Sequence, residues 1–73
     1  MDTKVLDVAL KFQFELIRER LDEAASVAKA AEACANAGNV KKAAKILLDV
    51  DQPIYEAQTL ANAVSLLNRV GRS

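Results

Sequence analysis

The chain has no histidine and no tryptophan, and it holds one cysteine, one proline and two glycines in 73 residues. Each shortage removes an option. Without histidine the most common general base and metal ligand is absent, and Cys34 has no imidazole to activate it as a nucleophile. One cysteine forms no internal disulfide, and no set of four zinc ligands is visible. No phosphate-binding loop, nucleophile elbow or metal-ligand spacing occurs. The expectation is a protein that is not an enzyme and takes no cofactor and no metal.

An excess of either charge is missing too. Ten basic and ten acidic residues cancel, so no global field gathers nucleic acid or anionic lipid. The longest uncharged run, residues 57–68, is too short to span a bilayer. Met1-Asp2-Thr3-Lys4 lacks the basic start and apolar run of a secretory signal. These features, with one unpaired cysteine, lead to an expected cytoplasmic location.

What remains is helix-forming sequence. Hydrophobic residues reach 52% and charged residues 27%, a balance that excludes disorder. Much of the apolar content is alanine, the best helix former; the only aromatics are Phe12, Phe14 and Tyr55. Gly38 and Pro53 divide the chain into three segments, predicting helices near 3–37, 40–50 and 53–70. Asp2 or Thr3 offers an N-cap to the first and Asn39 to the second. Pro53 ends the second and suits the first turn of the third, and Val70-Gly71-Arg72-Ser73 reads as a frayed tail.

The first helix carries a heptad seam: Leu10, Phe14, Ile17, Leu21, Ala24, Ala28, Ala31 and Ala35 alternate spacings of four and three. A second stripe, Val5, Val8, Ala9, Phe12 and Leu16, lies on another side. On the second helix Val40, Ala43, Ala44 and Leu47 share a side with Leu48 or Val50, and on the third Ile54, Ala57, Leu60, Ala61, Val64 and Leu67 do so. The second and third segments together nearly match the first in length. The expected fold is all-α, one domain over residues 1–73: a long N-terminal helix with a kinked two-helix return arm, a helical hairpin. Ile54, Leu60, Val64 and Leu67 are expected to pack on Leu10, Phe14, Ile17 and Leu21, since such short connections join spatial neighbours. One return arm cannot cover both stripes, which predicts a homodimer, an antiparallel helical bundle.

The remaining clusters favour plain readings. Cys34 reads as a small buried hydrophobe. Glu15, Glu19, Asp22 and Glu23 form an acidic edge interleaved with Arg18 and Arg20, hence a salt-bridged solvated face. Lys41, Lys42 and Lys45, with Lys29 as a neighbour across the turn, form the only basic cluster. They are the candidate nucleic-acid contact, but no aromatic lies near for base stacking, so nucleic acid is the unlikely partner.

Residues Val27–Val50 resemble a single tetratricopeptide helix pair. Ala31 and Ala43 stand where that motif needs close packing, Gly38-Asn39 at its turn, with Val40 and Leu47 following. The resemblance implies two closely packed helices, and no function is carried over from it. The hairpin-dimer plan is similar in architecture alone to the plasmid repressor-of-primer type of RNA-binding bundle.

The leading expectation is therefore a small protein–protein interaction module, a dimeric regulator, adaptor or inhibitor. It would bind itself and a larger protein through Val5, Val8, Phe12 and Leu16. An RNA- or DNA-binding helical dimer using the three lysines, and a structural subunit of a larger assembly, are the alternatives.

Overall fold

A computed structural model describes residues 3–71, and these form three α-helices without a strand among them: α1 (Thr3–Asn36), α2 (Val40–Leu47) and α3 (Asp51–Gly71). A single 3-10 turn, Leu48–Val50, joins α2 to α3. The molecule is a hairpin of two arms, α1 against α2 plus α3, measuring 54 × 15 × 11 Å. Its length follows from α1, whose 34 residues span about 51 Å at helical rise.

The hairpin turn is built from backbone bonds to carbonyls in the last turn of α1. Gly38 takes the positive φ of 100°, which an L side chain resists. That conformation lets the Gly38 amide donate to the Ala35 carbonyl (2.9 Å) and the Asn39 amide to the Cys34 carbonyl (3.1 Å), the paired bonds of a Schellman ending. Asn39 then starts α2: its side-chain oxygen accepts from the Lys42 amide at 3.0 Å, as its N-cap position predicts. The Cys34 thiol donates to the Asn39 carbonyl at 3.5 Å. Asp2 lies outside the described residues, and Thr3 is already helical rather than a cap.

Pro53 does not open the last helix; it sits in the first turn of α3, buried, two residues after Asp51. Its ring nitrogen has no hydrogen to donate to the Asp49 carbonyl and its ring crowds that group. The chain answers by tightening into the 3-10 turn just before it. Nor is the end frayed as far as it is described, because Val70 and Gly71 are helical; Arg72 and Ser73 lie outside the described residues.

The two arms meet along a seam in a different phase from the one the apolar spacing suggests. On α1 the inward residues are Leu6, Leu10, Gln13, Ile17, Arg20, Ala24, Val27, Ala31 and Cys34, spaced four and three throughout, all buried or half-buried. On the return arm they are Ala43, Ile46, Val50, Pro53, Ala57, Leu60, Val64, Leu67 and Gly71, again four and three, running through the 3-10 turn without a slip. Counted antiparallel from Leu6 against Gly71, the seams fall opposite one another residue for residue, ending at Cys34 against Ala43. Leu6 is fully buried, and Gly71 lies so close that a methyl group on it would come within 2.8 Å of the Leu6 Cδ2.

This corrects the expected seam. Leu10, Ile17, Ala24 and Ala31 belong to both phases, but Phe14, Leu21 and Ala28 are exposed, and Gln13, Arg20 and Val27 take their places. On α2 and the 3-10 turn after it the inward side is Ala43, Ile46 and Val50, leaving Val40, Ala44, Leu47 and Leu48 exposed; on α3 Ile54 and Ala61 are exposed. Ala24 and Ala31 of α1 and Ala43 and Ala57 of the return arm are all buried, as close packing of small residues requires. The expected pairing of α3 along the N-terminal half of α1 holds, with Leu10 and Phe14 beside Val64 and Ile17 and Leu21 beside Ile54.

Candidate protein interaction faces

A two-layer hairpin buries one stripe of each helix and leaves two flanks. Both are apolar here. On the first flank, the Phe12 face, α1 presents Val5, Ala9, Phe12 and Leu16, while α3 presents Tyr55, Thr59, Ala63, Leu66 and Val70. Val5 (60% exposed), Val8 (69%) and Phe12 (58%) stand open. Leu16 is half-buried and lines a groove between the arms with Arg20, Tyr55, Glu56, Thr59 and Leu60. Val5, Val8 and Ala9 form a shallow apolar depression beside Lys4. Of the four residues expected to bind a partner, Val5, Phe12 and Leu16 thus share this face, from open to half-buried, and Val8 lies at its outer edge.

The opposite flank, the Phe14 face, comes from residues that sequence spacing had assigned to the core. Phe14 is 55% exposed and borders a groove with Asp7, Leu10, Lys11, Val64, Ser65 and Asn68. Leu21 and Ile54 continue that groove toward the turn, with Ala61 and Gln58 on its α3 side. Charged side chains edge this flank, including the exposed Arg18–Asp22 ion pair at 2.8 Å.

A cross-arm polar contact lies between the faces. Arg20 occupies a seam position, and its Nη1 donates to the Glu56 Oε2 at 3.2 Å. Gln52 donates to the other Glu56 oxygen at 2.9 Å. These two hydrogen bonds, Gln52 first and then Arg20, hold the Glu56 carboxyl below its ordinary value. Glu19 and Glu23 stand 3.8 and 3.9 Å from the same guanidinium. Glu19 and Glu23 thus flank Arg20, and Asp22 pairs with Arg18, as the salt-bridged reading of that edge expected. Arg20 Nε and Gln13 Oε1 are buried without a hydrogen-bond partner.

Lys41, Lys42 and Lys45 are exposed on α2, as is Lys29 on α1. Cys34 is half-buried in the seam. Among the described residues no three acidic or cysteine side chains gather as metal ligands, and no helix is long and apolar enough to cross a membrane.

Comparison of the chain with protein-family models, with characterised proteins and with solved structures finds no match to any of them.

Proposed function

We propose that this chain is a small non-enzymatic protein–protein interaction module, of the regulator, adaptor or inhibitor kind, that holds helices of other chains against its apolar flanks. The observation that carries the reading is exposure. Among the described residues twelve large hydrophobic side chains stand open, and those of the two long helices line up along the flanks of a single hairpin. Contiguous apolar surface of that kind marks interaction sites, and rows at helical spacing suit helix-in-groove recognition. The unpaired Cys34 fits a cytoplasmic setting for the module.

The test replaces Phe12, and separately Phe14, with a photo-reactive phenylalanine analogue in the cell that makes the protein. Covalent adducts to protein chains at one or both positions are expected. Adducts to nucleic acid, or solvent quenching alone at both positions, would overturn the reading.

A further inference from the structure

We infer that the Phe12 face is covered by a second copy of this chain, with α1 lying antiparallel on its partner's α1. This rests on the interaction-module reading and names its first partner. Three observations carry it.

The first is area. The chain exposes 5445 Å², whereas a compact monomer of 7.9 kDa exposes about 4,400 Å². The excess, about 1,000 Å², is close to the roughly 800 Å² per partner of a standard stable interface. The Cα radius of gyration, 16.7 Å, likewise exceeds the about 11 Å of a compact chain of this length. The hairpin has the surface of half a bundle.

The second is the contrast between the flanks. From Val5 to Leu16 the Phe12 face bears no charge, and it is closed toward the turn by the Arg20, Glu23 and Glu56 group. Half-buried residues outside the seam concentrate here: Ala9, Leu16, Glu56 and Ala63. Over the same length of α1 the Phe14 groove is lined by Asp7 and Lys11. Interface cores are depleted in charge, so the Phe12 face is the one a copy covers.

The third is the charge order along its outer edge. Lys4, Val8, Glu15 and Glu19 follow one another at spacings of four and seven. A symmetric dimer requires the patch to complement itself. Laying α1 antiparallel about the midpoint of the charge-free stretch, between Ala9 and Phe12, brings Lys4 of each copy to Glu15 and Glu19 of the other. A parallel α1 pair sets Lys4 on Lys4 and Glu19 on Glu19; pairing α1 with the partner's α3 sets Lys4 near Arg69. Only the antiparallel α1 pair joins opposite charges. On α3 the same midpoint falls at Leu66, which therefore meets its own counterpart at the two-fold axis.

The experiment uses the full chain. Light scattering should give about twice the 7.9 kDa chain mass. Phe12→Asp should weaken the dimer at least about 100-fold, as loss of a buried aromatic anchor does, and Phe14→Asp should leave it intact. Leu66→Cys, placed in a Cys34→Ala background, should form a disulfide-linked dimer on mild oxidation. The cross-link decides the case if Phe12→Asp fails to fold. A well-folded monomeric wild type, dissociation by Phe14→Asp but not by Phe12→Asp, or no Leu66→Cys cross-link would overturn the inference. A monomer whose photo-reactive residue 12 captures only foreign proteins overturns the dimer and leaves the module reading standing, so the two failures are distinct.

Discussion

At the scale of single residues, the polar groups in the seam decide more than the apolar ones. Gln13 and Arg20 sit where an apolar heptad would continue, and that is why spacing alone pointed to Phe14 and Leu21 instead. A pattern of hydrophobicity prefers Phe14 to Gln13 at the same turn, although the two lie only one residue apart on the helix. Nothing in the sequence alone shows that Arg20 reaches Glu56, since the pair is 36 residues apart. The consequence is testable through pH. Hydrogen bonds from Gln52 and Arg20 lower the Glu56 pKa in the folded chain. Its contribution is thus present above the unfolded value near 4.5 and is lost as pH falls through the lower folded value. Wild type should be more stable than Glu56→Gln at neutral pH, with the gap closing in acid. Denaturant titrations at pH 7 and pH 3 check this; an equal gap at both would show that the contact contributes nothing through its charge.

At the scale of elements, the breakers were legible and the faces were not. Gly38 and Asn39 announce a helix end and a helix start, and the chain makes both with backbone bonds at those residues. Pro53 announces a break, but its physical effect falls upstream, on the carbonyl of Asp49, so the irregular turn is Leu48–Val50 and α3 begins before the proline. The stripe Val5, Val8, Phe12 and Leu16 was legible as surplus apolar surface, because no return arm can cover two sides of α1. The Phe14 face was hidden, because its residues also satisfy a heptad count. The return arm holds its seam through the 3-10 turn, so α2 and α3 act as one arm. Truncation after Val50 would strip Leu6, Leu10 and Ile17 of their cover from Gly71, Leu67 and Leu60. The truncated chain should lose cooperative thermal unfolding. Followed by circular dichroism, a sharp transition retained by residues 1–50 would mean that α3 is not part of the folding unit.

At the scale of the whole molecule, the account turns on a mismatch between surface and size. A domain of this length has little core to offer, and among the described residues one large side chain, Leu6, is fully buried. Small scaffolds make up such a deficit with disulfides, metals or association. Cys34 alone cannot form a disulfide within the chain, and the described residues gather no metal ligands. The proposed association of two copies would link folding to protein concentration. The most direct measurement is therefore the melting temperature of the purified full chain over a hundredfold range of concentration. If folding and dimerisation are one event, the midpoint should rise by about 9 °C across that range, from the mass-action gain set against the unfolding entropy of two chains. A sharp transition whose midpoint does not move with concentration would contradict the account, because the hairpin would then be stable with its apolar flanks open to water.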